Sequence, residues 1–528
     1  MSHDPVGHAW DKKICWDSGT ADIFGAGNYV VYSRTMAKIT FYGGVGTVTG
    51  SKYLLEHNGR KILVDCGLFQ GLKEIRKRNW QDPPFDPREI DAVIITHAHI
   101  DHTGWLPRLV KLGFNGQITT SRATGDLLKI LLPDSARLQE EEADYRNRHD
   151  LTSHSPALPM YDENDARATL QLLRTVPNDG QPYDICEGIK ASFLVAGHIM
   201  GASLVLVEMS EPPAVAGGLT QPINNSEDLN ADLQPPATAG GSDTIRFLFS
   251  GDLGHYDQPI VNDPAAPPDC DYLMCESTYG DRLHGDVDSE TQMANIINEA
   301  IKRNGPILIP AFAVGRTQEV LYMIRELEEQ KRIPVVPVIV DSPMASQATQ
   351  VYNRWHEEHD REYASILAHK RHPLRTASMM TTSSRDESKR LNDMKGARII
   401  ISASGMLTGG RVLHHAMRVL PNENATVIFV GFQAAGTTGR RIQDGEREVR
   451  IMKNWVPVRC HVAKVEGFSA HADWKAVLRW LSGLSHAPKM VFTTHGEPDA
   501  AEAMAGHIRE RFGWNVVVPQ YEETINLS

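Results

Sequence analysis

Residues 96–102 read Thr-His-Ala-His-Ile-Asp-His and follow the apolar run DAVII at 91–95. The run predicts a short strand, and the polar heptad a strand end turning into a helix, so His97 and His99, two apart, point the same way. Asp101 and His102 lie a turn onward and face a neighbouring position. Imidazole and carboxylate together suit zinc, with manganese or iron as competitors. With 22 histidines in 528 residues, the pattern H-x-H-x-D-H would arise by chance in roughly a few chains per thousand. The bland alternative is a polar loop whose histidines only cap a helix.

One motif cannot furnish ligands for two ions, and three more candidates stand at the ends of apolar strands: His198 in VAGHIMGAS, Asp252 in LFSGDLG and His495 in VFTTHGE. Strand ends are rigid platforms that fix ligand geometry in advance. Together they complete a bridged pair, with His97, His99 and His198 on one ion, Asp101, His102 and His495 on the other, and Asp252 between. Asp65 in LVDCG either orients a ligand or is a turn aspartate. Two ions about 3.5–4 Å apart can generate a nucleophile from water at neutral pH and clamp both oxygens of an in-line displacement, so hydrolysis is the expected reaction class. A phosphodiester leaving oxygen also needs a proton. His471 in GFSAHAD, with Glu276 in CESTYG as its carboxylate partner, is the candidate general acid; the catalytic set is then Asp101, His471 and Glu276.

The length points to two or three cores. Lys and Arg number 54 against 66 Asp and Glu, a net charge of −12, with 41% hydrophobic and 23% charged residues, as in an ordinary globular protein. No stretch reaches the ~18 apolar residues of a membrane span, and residues 1–16 lack the basic and apolar regions of an export signal, so a cytoplasmic location is expected. Six scattered cysteines without a C-x-x-C pair argue against a disulfide framework or a cysteine zinc site.

Residues 1–35 show no periodicity and are expected to be a disordered extension, with Met36 an alternative start. Residues 36–281 alternate short strands with turn signals and carry few helices, the clearest near Arg122–Leu138. The stretch 211–243, rich in Pro, Gly and Asn and without Lys or Arg, is expected to be a disordered loop lengthening a hairpin tip. Residues 282–464 alternate strands with helices, which predicts a parallel α/β sheet. Residues 465–528 return to the histidine-bearing texture of the first region, so the α/β unit is read as an insertion.

The motifs GTVTGS, LVDCG, THAHIDH, AGHIMGAS, FSGDLG, ESTYG, PAFAVGRTQE, DSPMA, SASGML, GFQAAGT, GFSAHAD and THGE occur in this order. In this the chain resembles a β-CASP nuclease of the metallo-β-lactamase superfamily, among the bacterial relatives of the pre-mRNA 3′-end cleavage endonuclease subunit. The resemblance implies an αββα sandwich with an inserted β-CASP α/β cap domain and two zinc ions per chain, manganese being possible. It assigns His97, His99, Asp101, His102, His198 and Asp252 to the lactamase-type ligands, with Asp65 in support, and Glu276, His471 and His495 to the motifs particular to the β-CASP group. A histidine at the position of His495 goes with RNA-cleaving members, so a zinc-dependent ribonuclease of RNA processing or decay is the implied function, acting on single-stranded RNA. Dimers are common in the family.

The net negative charge is unsuited to a sequence-independent grip on a polyanion, so the grip must be local. Candidates are Arg316, Ser404, Gly405 and Arg440, with Arg411, Arg441, the Thr437–Gly439 turn and the basic run Lys73–Arg78 behind them. The rivals are a DNA nuclease of the same fold, a small-molecule thioester or lactam hydrolase, which would need neither the cap nor Glu276 and His471, and a non-catalytic RNA-binding partner, which would not need an intact ligand set.

Overall fold

The structure is a computed structural model that describes residues 37–149, 151, 156–210, 244–285, 288–431, 433–434 and 436–527. The expected extension at 1–35, Met36 and the loop at 211–243 lie outside the described residues. Two seven-stranded sheets and one six-stranded sheet organise the chain. The first sheet runs Thr524–Leu527, Ala37–Phe41, Tyr53–His57, Arg60–Val64, Ala92–Ile94, Gln117–Ser121, Leu173–Val176, and the second Val516–Val517, Met490–Thr494, Tyr272–Glu276, Ile245–Phe249, Ser203–Met209, Ile189–Val195, Pro182–Cys186.

Period-two alternation explains why these two sheets stack. In the first, Ile39, Phe41, Val64 and Ile94 meet Phe193, Val205, Phe247, Phe249 and Phe492 of the second, while Leu63, Val93 and Ile118 face the other way, toward helices. Helices Leu106–Lys111, Arg122–Arg148 and Glu163–Gln171 cover the first sheet's outer face, and Trp474–Leu481 and Pro498–Phe512 that of the second. The result is the expected αββα sandwich. Asn58 and Gly59, both at positive φ, make the two-residue turn that joins His57 to Arg60.

The third sheet, in the order Met379–Thr381, Val338–Val340, Arg398–Ser402, Pro306–Pro310, Thr426–Phe429, His461–Lys464, is parallel throughout. Its strands alternate with helices such as Ser289–Lys302 and Arg316–Glu329, as the sequence predicts. After it the chain re-enters the sandwich, with Met490–Thr494 beside Tyr272–Glu276 and Thr524–Leu527 beside Ala37–Phe41. The strands on either side of 211–243 pair antiparallel, Met209 opposite Ile245, as a hairpin should.

Two readings need correcting. The helix expected near Arg122–Leu138 runs on to Arg148, its polar second half being a solvated face without apolar periodicity. A two-stranded hairpin, Glu448–Ile451 with Asn454–Pro457, interrupts the α/β alternation. Cys66, Cys186, Cys270, Cys275 and Cys460 are free thiols. Among the described residues no helix is long and apolar enough to cross a membrane.

Candidate metal centre

Most of the residues that could hold metal sit just past strand ends, while Asp101 and His102 lie on the short helix Ile100–Thr103 that follows one. Asp65 follows Arg60–Val64 at a positive φ and turns its carboxylate inward, where Oδ1 accepts from the Thr96 backbone N–H at 2.9 Å and Oδ2 lies 2.7 Å from His102 Nδ1. Thr96 Oγ1 donates to the same carboxylate and lies 3.1 Å from His97 Nδ1. Both Nδ1 atoms are thereby committed to oxygen, so that when a cation displaces the Nε2 proton each ring would present its Nε2 to the centre. The heptad itself is gripped by three backbone N–H donors, from Ser51 to the Asp101 carbonyl, Cys66 to that of His102 and Leu68 to that of Ile100. Gly67 is needed there, since a Cβ would lie 1.5 Å from the Asp101 carbonyl oxygen.

His198 rides on a turn pinned to the long helix's first turn, where Ser121 Oγ and Thr124 Oγ1 both donate to the Gly201 carbonyl, at 2.6 and 2.8 Å. Asp252 follows Gly251, whose φ of +53° and close approach to Thr96 bring the two loops together.

In the first group, His99 Nδ1 is 3.1 Å from His97 Nε2 and 3.2 Å from His198 Nε2, with Asp252 Oδ2 at 3.4 and 3.5 Å from those two Nε2 atoms. In the second, His102 Nε2 and His495 Nε2 are 3.2 Å apart, and Asp101 Oδ2 is 3.5 Å from His495 Nε2. Asp252 Oδ1 reaches toward this group, 3.2 Å from His102 Nε2 and 3.4 Å from His495 Nδ1. A tetrahedral zinc with Zn–N of about 2.0–2.1 Å has ligand edges of about 3.3 Å, so the spacings fit. The charges fit as well. Burial pulls His97 down to about 3, His99 to about 4 and His198 well below the usual range, leaving the neutral imidazoles that ligation requires. For His102 burial opposes the charge, but Asp252 and Asp65 outweigh it and hold the ring protonated, a positive charge where a cation would sit. Among the described residues, buried His198 Nδ1 has no hydrogen-bond partner.

Glu276 and His471 close one side. Buried Glu276 accepts from the Leu253 N–H at 2.5 Å and sits 3.0 Å from His471 Nδ1. The His471 side chain is 21% exposed, against 5% or less for the clustered histidines His97, His102, His198 and His495. Burial lowers its basicity, yet the Glu276 carboxylate outweighs this and raises it to about 9. Its backbone is bridged to Gly254, and its carbonyl accepts from His284 Nε2 at 2.8 Å.

The structure thus brings together all seven sequence-derived ligand candidates with Asp65, Glu276 and His471. Thr96, Thr278, whose Oγ1 lies 3.1 Å from His495 Nδ1, and His284 were missed. Adjacency to named motifs, in ITHAH, ESTYG and RLHGD, was the available signal.

The substrate candidates are more dispersed. Arg316 pairs with Glu319, and its guanidinium lies 5.2 Å from the ring of Phe468, on the loop that carries His471. Arg440 is exposed and pairs with Asp444 at 2.8 Å; Ser404 Oγ bonds Thr408, and the Gly405 carbonyl accepts from Gln433. Among the described residues no hydrogen bond or ion pair joins Ser404, Gly405 or Arg440 to the histidine cluster. Arg411 is bound to Asp341 and Arg441 to Glu446.

A sandwich with clustered histidines and carboxylates along its strand ends, joined to a parallel α/β unit, defines a metal-dependent hydrolase of the metallo-β-lactamase type. Residues 45–163 match the metallo-β-lactamase superfamily, 317–442 the Beta-Casp domain, and 455–519 the Zn-dependent metallo-hydrolase RNA specificity domain. Ribonuclease TTHA0252 of Thermus thermophilus is 32% identical over 92% of this chain and 99% of its own length. The transcription termination factors FttA of Methanocaldococcus jannaschii and Pyrococcus abyssi are 27% and 28% identical, each over 94% of this chain and 73% and 72% of their own lengths. The chain belongs to the β-CASP family of the metallo-β-lactamase superfamily.

Proposed function

We propose that the chain is a zinc-dependent ribonuclease that hydrolyses phosphodiester bonds of single-stranded RNA, with His97, His99 and His198 holding one ion, Asp101, His102 and His495 a second, and Asp252 shared. The observation that carries this reading is the Asp252 carboxylate, whose two oxygens face two different histidine groups. When bound, two zinc ions supply Lewis acidity and a water acidified to near neutral pH. Asp65 and Thr96 hold His102 and His97 in the ligating tautomer. His471, on the more open side, keeps a proton against Glu276 and delivers it to the leaving oxygen as the phosphorus–oxygen bond breaks. Arg316 is the nearest candidate for holding a phosphate of the strand, with Ser404, Gly405 and Arg440 further along the inserted unit. RNA is favoured by the name of the Thermus relative, by the RNA specificity match at 455–519 and by His495. Residues 36–281 and 465–528 would form the hydrolase body and 282–464 the cap.

The test is cleavage of end-labelled single-stranded RNA and sequence-matched DNA by the zinc-loaded protein, with Asp252→Ala as control. RNA cut by the wild type alone is expected, and the fragment ladder separates internal cuts from stepwise trimming. Faster cutting of DNA, or no cutting of either strand with two metals bound, would overturn the reading.

A further inference from the structure

At the opposite end of the parallel sheet from Arg316, a cavity of about 370 Å³ opens between the starts of strands Pro306–Pro310 and Arg398–Ser402 and the C-terminal end of helix Arg411–Val419. Its charged lining is entirely cationic. Lys395 and Arg418 stand exposed at the rim, and Arg398, only 8% exposed, lies at depth. Asp393 and Glu423 are close in sequence but do not line it. Arg398 Nη1 donates to the Gly396 carbonyl at 2.9 Å, and among the described residues its Nε has no partner and no carboxylate pairs with it. A buried guanidinium without a counter-charge is costly, and an anion offsets that cost. Burial alone depresses its basicity.

The uncharged lining has the complementary character. Asn304 and Asn422 spend their side-chain oxygens on the backbone N–H groups of Ala397 and Asn424, at 3.1 and 3.0 Å, which leaves their NH₂ groups as donors. Leu391, Met394 and Ile400 supply an apolar wall. Cationic and amide donors beside an apolar wall, in a volume at the lower end of the ~300–1,000 Å³ range of small-molecule sites, suit a phosphate carried on a compact organic group. The site is distinct from the metal centre, because the loops facing that centre leave the far ends of these strands, a strand length of about 13 Å away.

We propose that this cavity is a binding site for a phosphomonoester of nucleotide size, a nucleoside 5′-monophosphate, with Arg398 as the buried anchor for its phosphate. The inference does not rest on the nuclease reading. The experiment is calorimetric titration of adenosine 5′-monophosphate, and separately of inorganic phosphate, into the full chain and its variants. The nucleotide should bind the wild type and the His97→Ala protein alike, and at least about tenfold more tightly than inorganic phosphate. Arg398→Met should weaken it by about tenfold or more. Lys395→Glu, at an exposed position that folding does not depend on, should weaken it several-fold. The proposal is overturned by nucleotide binding that survives both Arg398→Met and Lys395→Glu, by binding lost in His97→Ala, which would place it at the metal centre, by equal affinity for inorganic phosphate, or by no binding at all.

Discussion

Asp252 is the residue on which the two histidine groups of the candidate metal centre meet, and single substitutions should separate its role from those of its neighbours. Asp252→Ala removes an oxygen from both histidine groups and should lower bound metal at both positions, with activity falling by three orders of magnitude or more, on the order expected when a metal catalyst is lost. His198→Ala removes a ligand from one group only and should cost about one ion per chain by elemental analysis. Two ions retained in the Asp252 variant would show that the carboxylate does not bridge. His471→Ala should slow cleavage by about 10²–10⁴-fold with metal content unchanged, and metal loss there would make it a ligand rather than an acid. The candidate ligands were legible in the sequence because metal chemistry restricts residue type and strand ends restrict spacing. Glu276 was a weaker reading, since a carboxylate ending a buried strand has no local signature; its partner lies 195 residues away. For Thr96 and Thr278 the only signal was adjacency to the motifs, a hydroxyl's role being set by what it faces.

At the scale of elements, two buried carboxylates in the inserted unit should respond to pH in opposite directions. Asp341, at the end of strand Val338–Val340, is fully buried and bound by Arg411 at 2.8 Å, His415 and Ser388 at 2.5 Å, and Thr382. Burial resists its ionisation, but these donors win and hold it well below the usual carboxylate range. Its stabilisation is therefore present above the unfolded value of about 4 and lost as pH falls below it. Asp341→Ala should destabilise by about 3–5 kcal/mol at pH 7, since Arg411 loses its counter-charge and His415 its hydrogen-bond partner, and in urea unfolding the gap to wild type should narrow from pH 5 to pH 3. Glu358 is the reverse case. It packs against the sandwich, accepting from Asn178 Nδ2 at 3.3 Å and, through its carbonyl, from the Asn262 N–H at 3.2 Å. Burial raises its carboxyl to about 7, so its contribution is complete below the unfolded value and lost as pH rises through 7. Glu358→Gln keeps the acceptor for Asn178 and should stabilise by about 1–3 kcal/mol at pH 8 with little change at pH 5. A pH-independent difference would contradict this. The parallel sheet that holds Asp341 was readable from alternating apolar strands and amphipathic helices. The contact at Glu358 was not, because nothing in HEEHD distinguishes a solvated turn from one pressed against another unit.

For the whole molecule, the topology makes the last segment inseparable from the first. Strand Met490–Thr494 lies between Tyr272–Glu276 and Val516–Val517, and Thr524–Leu527 pairs with Ala37–Phe41. The return was legible because the histidines after residue 465 stand in GFSAHAD and THGE, closer in character to the first region's motifs than to the middle's, but which strand it would pair with depends on register and was not. The metal candidates span His97 to His495, so bound ions would cross-link loops nearly 400 residues apart in the chain. Chelation should therefore lower the apparent unfolding midpoint of the whole protein, not merely silence it. Two sites each occupied at about a thousand times their dissociation constant contribute roughly 4 kcal/mol apiece, which for a body of this size corresponds to a fall of roughly 10 °C or more. The Asp252→Ala protein should start near the chelated midpoint and barely respond to chelator. If instead wild type and variant lost the same few degrees, or neither moved, the ions would not be holding the two ends of the chain together, and the stability of the sandwich would rest on its two hydrophobic layers alone.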